Sequence, residues 1–375
     1  MLQRERGCLL VWVMCLAPLL SGCGPEAVVD ATDRPERRIY EWKMVTTWLP
    51  NFPGLGTGIN RMVSEVARMS DGRLRIKVYG AGELVKAFGV LDAVKTGVAQ
   101  MGHGASYYWS GKLPAAIFFT SVPFGLTAQE MNAWLYHGGG LDLWREIYGK
   151  HNLYPVPGGN TGVQMAGWFR KPVNSMEDFR GVRMRMPGIG GEVLRRAGGI
   201  SVSLPGDEVF VSLQTGALDA AEWVGPYNDL ALGLHTVASY YYYPGWHEPG
   251  PTLEAIVNLD AWNELPEDLQ AILENALRVM NEDILAEFTA NNYRALKELV
   301  DKHDVQLRRL PEDVLIQLKR ASQEVLEELA SDSPEAARVW ESFRTFLRDV
   351  RRYHEISEKA YLQVRDLPVE PDAER

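Results

Sequence analysis

Arg180-Gly181-Val182-Arg183-Met184-Arg185-Met186-Pro187-Gly188-Ile189-Gly190-Gly191-Glu192 is the stretch on which the fold turns. Arg180 to Met186 alternates basic or small residues with apolar ones, the period-2 pattern of a strand. The glycines of 188–191 form a turn, and Glu192 to Ala197 opens a helix. A strand running through glycines into a helix is the unit of an α/β fold. Strand C-termini and helix N-termini are also where α/β sheets hold anions. Arg185, last of the three arginines of this stretch, can therefore grip a carboxylate through two parallel hydrogen bonds. The competing reading is a solvated basic face.

Downstream, Glu208 to Thr215 reads as a helix and Ala220 to Val224 as a strand; upstream, Val163 to Phe169 reads as a strand. An earlier unit repeats the alternation. Glu41 to Val45, Leu74 to Val78 and Ala99 to His103 are strand-like, separated by helical patterns over Gly56 to Met69 and Leu84 to Thr96. Leu253 to Asn258 is a strand able to lead back to this first unit. The expectation is an α/β fold with a largely parallel sheet, in two domains joined by crossing strands: residues 38–160 with 253–310, and residues 161–252. The cleft of such a hinge is a common ligand site. The last third reads as helical, with segments Pro266 to Leu299, Pro311 to Leu329 and Pro334 to Arg365 around a short strand, Val305 to Leu310.

Glu222 lies in an apolar stretch, where a carboxylate is costly unless paired or bound to a metal. Trp246-His247-Glu248-Pro249-Gly250 offers a second carboxylate beside aromatics. Two carboxylates and an amide oxygen such as that of Gln164 would be hard ligands suited to Na⁺ or Ca²⁺. An ordinary salt bridge for each glutamate is the alternative. Catalytic templates fail. His247-Glu248 lacks the second histidine of a zinc protease helix, Gly104 to Tyr108 is no nucleophile elbow, and Gly188-Ile189-Gly190 lacks the third glycine of a dinucleotide fingerprint. The net charge of −10 comes without any Lys/Arg-rich block, which argues against a nucleic-acid partner.

At the N-terminus, Arg4 and Arg6 precede an apolar run from Cys8 to Leu20, so residues 1–22 read as an export signal. Leu20-Ser21-Gly22-Cys23 resembles a bacterial lipobox, which implies acylation of Cys23. Residues 23–37 then form a polar tether, and the mature chain is placed in the periplasm as a membrane-anchored lipoprotein. Cys8 and Cys15 leave with the signal, so the mature chain carries no intramolecular disulfide.

Six motifs resemble one family. They are Ser70-Asp71-Gly72-Arg73-Leu74, Pro123-Phe124-Gly125, Gln164-Met165-Ala166-Gly167-Trp168-Phe169, Met184-Arg185-Met186-Pro187-Gly188, Asp219 to Asp229, and Tyr243 to Gly250. Over residues 38–365 the chain resembles the substrate-binding subunits of tripartite ATP-independent periplasmic (TRAP) transporters, in the DctP-like group and its 2-oxo acid branch. The resemblance implies a periplasmic-binding-protein-like clamshell that captures a small monocarboxylate such as pyruvate or lactate and delivers it to membrane subunits. It implies that Arg185 takes the carboxylate. It implies a bridging Na⁺ or Ca²⁺ held by the side chains of Gln164, Glu222 and Glu248 and the carbonyl of Trp223. Tyr107, Tyr108 and Asn160 are further substrate contacts, with Trp48, Trp168, Asn228 and Trp246 as weaker candidates. The final helix, residues 334–365 within the helical segment 311–375, is implied as a homodimer contact. A metal-assisted lyase acting on a 2-oxo acid, a sensory module and a sugar-acid receptor are the rivals.

Overall fold

The computed structural model describes residues 38–368. The expected signal, Cys23 and the whole tether lie outside these residues. In the first half of the chain the strands are β1 (Tyr40–Thr46), β2 (Leu74–Tyr79), β3 (Met101–Gly104), β4 (Leu153–Asn160), β5 (Gly167–Phe169) and β6 (Arg183–Arg185). They continue with β7 (Ile200–Val202), β8 (Ala220–Ala221), β9 (Tyr240–Tyr243), β10 (Thr252–Asn258) and β11 (Gln306–Arg309). Two sheets result, ordered β2-β1-β3-β10-β4 and β11-β9-β5-β8-β6-β7. Among the described residues no helix is long and apolar enough to cross a membrane.

Alternation builds the outer strands. In β2, Leu74 and Ile76 are buried while Arg75 and Lys77 face water. All seven residues of β10 are buried, because it lies inside its sheet with helices on the faces. The helix Leu55–Met69 buries Leu55, Ile59, Met62 and Val66, spaced to share one face.

The expected parallel sheet is in fact two mixed sheets. β1 runs parallel to β2 and β3, but β10 is antiparallel to both β3 and β4. β5 is likewise antiparallel to β8 and β9. The reason is the crossing of the chain: β10 enters the first sheet from the second lobe and runs against its neighbours, and β5 does the reverse.

The boundary at residue 310 also needs correction. The helix Glu267–His303 has 37 residues, roughly 55 Å of rise. That length carries the chain from the first lobe to the second, where β11 pairs with β9, Gln306 opposite Tyr240. Along the way Glu287 accepts from the Gly54 N–H and from the Tyr227 hydroxyl, at 3.1 Å each, so one helical residue touches both lobes.

Two helical expectations shorten. Leu84 to Thr96 becomes a 3-10 turn, Ala87–Gly89, and the helix Val90–Lys95. Pro334 to Arg365 breaks into Pro334–His354 and Glu358–Arg365. The first piece is held by buried Ala336, Val339 and Phe343, whereas the second buries no residue and is tied back by surface pairs such as Lys359 with Glu355. Pro334–His354 packs on the first lobe, where Phe343 meets Trp134 edge-on and Arg338 makes a two-point ion pair with Glu146.

Candidate functional site

Arg185 ends β6 and is 1% exposed. Its neighbours explain how a guanidinium tolerates this. Nε donates to the Leu204 carbonyl at 3.2 Å, and Nη1 to the Glu222 carbonyl at 3.0 Å. Nη1 also donates to the Glu222 carboxylate, and Nη2 to the Tyr108 hydroxyl at 3.1 Å. The guanidinium lies 4.8 Å from the centre of the Trp223 ring. Burial, the largest single influence, works against its charge, but Glu222 together with Tyr108, Tyr107 and Glu248 outweighs it and holds its pKa above the ordinary arginine value. The solvated basic face thus applies to Arg183, paired with exposed Asp219, and not to Arg185.

Gly188, at φ 64°, lets the chain turn from β6 into the helix Gly188–Arg196. A Cβ there would come within 2.9 Å of the Tyr107 ring, and one on Gly190 within 2.9 Å of the His247 side chain. Gly188 and Gly190 bring the turn close to the site because neither has a side chain to keep Tyr107 and His247 away.

Glu222, Glu248 and His247 gather on the other side of Arg185, with ligand atoms within 4.8 Å of one another. Glu222 is fully buried, and its second oxygen lies 3.3 Å from His247 Nε2. Glu248 is pushed well above the ordinary carboxylate range, first by burial, then by the charge of Glu222, with Arg185 opposing. Gln164 is tied to the same loop, its backbone N–H donating to the Glu248 carbonyl at 3.1 Å. Its side-chain Nε2 donates to Thr161 Oγ1 at 3.2 Å.

A cation can be tested against these groups. Gln164 Oε1 and Glu248 Oε2 are buried acceptors with no hydrogen-bond donor. Such atoms cost roughly 1–3 kcal/mol each if left so. Two orphaned oxygens beside a second buried carboxylate make a hard, oxygen-rich donor set, and a positive charge among them would favour ionised Glu248. The residues fit a hard cation.

Not every expected contact reaches this cluster. Tyr107 and Tyr108 do, and burial pushes both phenols up. Trp48 and Phe52 of the first lobe meet Trp223 edge-on, at 6.3 Å each, so aromatic rings close the lobes over Arg185. Asn160 instead spends its amide on the hinge: it donates to the Gly250 carbonyl and Thr252 Oγ1 and accepts from the Gly162 N–H. Trp168 is core, stacked on Tyr241 at 4.0 Å and donating to Asp229. Asn228 ties the second lobe to the first through the Pro53 carbonyl, 2.9 Å away. Trp246 stacks on Phe124 at 5.8 Å. Sequence reasoning missed His247, weighed against a zinc-protease pattern; its place beside Glu248 was the available signal.

Asp229 organises the turn beneath. It accepts from the backbone N–H groups of Val224 and Gly225 on one oxygen and from Trp168 and Tyr241 on the other. Burial nevertheless pushes its pKa up to about 6.

Two lobes joined by crossing strands, closed over a buried guanidinium and a set of hard oxygens, define a receptor that captures small anionic solutes. The comparisons agree. The chain matches DctP, bacterial extracellular solute-binding protein, family 7, over residues 45–332. It is 43% identical over 320 residues to a monocarboxylate 2-oxoacid-binding periplasmic protein of Nostoc sp. (strain PCC 7120), covering 85% of this chain and 87% of that one. A TRAP periplasmic solute-binding protein of Pseudoalteromonas atlantica T6c, solved with bound sodium and pyruvate, superposes with a TM-score of 0.85 at 43% identity, over 87% of this chain and 99% of that one. One from Colwellia psychrerythraea, with bound calcium and pyruvate, gives 0.84 at 42%, with the same coverage. The chain belongs to the family 7 extracellular solute-binding proteins, the periplasmic receptors of TRAP transport.

Proposed function

We propose that this receptor captures a small 2-oxo monocarboxylate of pyruvate size together with Na⁺ or Ca²⁺. The observation that carries the reading is Arg185 buried against Glu222, beside the orphaned oxygens of Gln164 and Glu248. The pyruvate-bound relatives, which hold sodium in one case and calcium in the other, support it.

In this reading Arg185 takes the ligand carboxylate. Four of its five N–H donors are engaged in the hydrogen bonds above, so the ligand competes with the Glu222 carboxylate for the fork. Gln164, Glu222 and Glu248 side chains and the Trp223 carbonyl would hold the cation, which supplies attraction for the ligand's carboxylate and 2-oxo oxygens. Once the ligand takes its place on Arg185, Glu222 would be free to serve as one of these cation ligands. Tyr108, from the first lobe, bonds Arg185 of the second, so filling the site and closing the lobes are coupled. Asn160 acts at the hinge. In this reading the chain works by capture and release.

We place the mature receptor on a membrane through acylated Cys23, after removal of residues 1–22, where it serves the TRAP membrane subunits. The end of the last helix, with Tyr353, Ile356 and Tyr361 each more than 60% exposed, is where a second copy would pack.

Thermal unfolding against a panel of 2-oxo, 2-hydroxy and sugar acids, with Na⁺ or Ca²⁺, tests the choice of ligand. A ligand at 100 times its dissociation constant adds about 2.7 kcal/mol. Pyruvate-sized 2-oxo acids are expected to give that gain; a gain from sugar acids alone would reject the reading.

A further inference from the structure

The Pro123-Phe124-Gly125 motif is not used by any ligand contact above, yet among the described residues it contains the most unusual non-glycine backbone. Five described non-glycine residues have positive φ. Four are Asn51, Asp71, Asn152 and Asp304, residue types that tolerate the left-handed region. The fifth is Phe124, at φ 54°. A bulky side chain there is a strained outlier, which persists only when its surroundings over-determine it.

Those surroundings point to the site. The Phe124 N–H donates to the Trp246 carbonyl at 2.8 Å, and the two rings stack. Trp246 is followed by His247 and Glu248, the two loop residues of the cluster around Glu222. The far end of the same loop is seated too: a Cβ on Gly250 would lie 2.3 Å from the Ala128 nitrogen. Segment 122–128 therefore cradles loop 244–250 from both ends. The cradle is gripped in turn by the last long helix. Arg351 donates to the Phe124 carbonyl, and His354 pairs with Glu130, two residues beyond the cradle. Lys319, on the helix Glu312–Ser331, lies 6.0 Å from the Phe124 ring centre. Gly125 cannot carry a side chain, since its Cβ would sit 2.5 Å from the Val122 carbonyl and 3.1 Å from Phe343 of that last helix.

We propose that Phe124 is a positioning residue for the anion–cation site, setting where Glu248 and His247 stand, and that Arg351 holds it there from the C-terminal helix. Its ligand readout rests on the functional reading above. The test is calorimetric titration of the whole mature chain with pyruvate in the presence of Ca²⁺, paired with amide hydrogen exchange over residues 245–250 without ligand. Phe124→Ala is expected to weaken pyruvate binding about tenfold, the scale of one lost charged hydrogen bond, and to speed exchange in the loop. Phe124→Tyr keeps the ring and restores both. Arg351→Met moves in the same direction as Phe124→Ala. Arg338→Met, which breaks an ion pair on the same helix away from the cradle, leaves affinity unchanged. Wild-type affinity and exchange in Phe124→Ala would overturn the proposal, as would an Arg338→Met loss equal to that of Arg351→Met. If the wild type itself binds no 2-oxo acid, the functional reading fails, and the exchange comparison alone judges the seat: unchanged loop exchange in Phe124→Ala refutes it.

Discussion

At the scale of residues, the Arg185–Glu222 pair decides how the site behaves when empty. Both groups are out of water, and removing one partner of such a pair leaves an uncompensated charge, a loss of about 3–5 kcal/mol. Arg185→Met is therefore expected to lower the unfolding temperature of the ligand-free protein as well as abolish ligand capture, both read in one thermal scan series. Arg185→Lys keeps the charge but not the fork that reaches Leu204, Glu222 and Tyr108 together. We expect it to fold and to bind pyruvate about 100-fold more weakly, roughly 3 kcal/mol, by calorimetry; near-native affinity in this variant would remove the clamp from Arg185. Arg185 was legible in the sequence because alternation and the glycine turn put it at a strand's end. Its default partner was not legible, since Glu222 lies 37 positions away and only β6 pairing with β8 brings them together. Asn160 and Trp168 were misjudged for the same reason: a polar or aromatic residue near a cleft looks alike in sequence whether it faces ligand, hinge or core.

Among the elements, β10 carries a buried acid that tests the packing of the first lobe. Glu254 accepts from the Trp109 indole and, at 2.9 Å, from the Tyr148 hydroxyl. Burial raises its pKa from 4.5 to about 8. The folded pKa lies above the unfolded one, so the native state binds the extra proton between these values. Its contribution is present below about pH 4.5 and is lost as pH rises toward 8. Glu254→Gln keeps one acceptor for Trp109 and can donate to Tyr148, with no charge to bury. The variant is expected to gain stability over the wild type as pH rises from 5 to 8, by up to a few kcal/mol, in urea unfolding at several pH values. A difference independent of pH would show that Glu254 does not titrate in this window. The element pattern also marks where sequence reading stops. β1, β2 and β10 follow period-2 or buried runs and were readable. β4 was not, because Pro155, Pro157, Gly158 and Gly159 mask it; it tolerates prolines as the outer strand of its sheet, where some N–H groups have no ladder to join. β9 is four consecutive tyrosines, which carry no alternation to read.

For the whole molecule, the helix Glu267–His303 and the hinge contacts of Asn160 and Asn228 join two lobes that meet over Arg185. The two-lobed plan was visible in the sequence as two α/β runs, while the helix that spans them looked like part of a helical tail, since length alone does not say what a helix crosses. Membrane attachment belongs to this scale too. Expressed from its full gene, the chain is expected to incorporate labelled palmitate and partition with membranes, and Cys23→Ser to do neither; label retained by the variant would place the lipid elsewhere.

The central claim is that one small acid and one cation share the space between Arg185 and the oxygens of Gln164, Glu222 and Glu248. Titration calorimetry with pyruvate, first with Ca²⁺ or Na⁺ and then in a sodium-free buffer with a calcium chelator, addresses it most directly. We expect dissociation constants near ~1 μM, about −8 kcal/mol, with the cation, and a loss of at least tenfold without it. Binding of equal strength in both buffers would contradict the account.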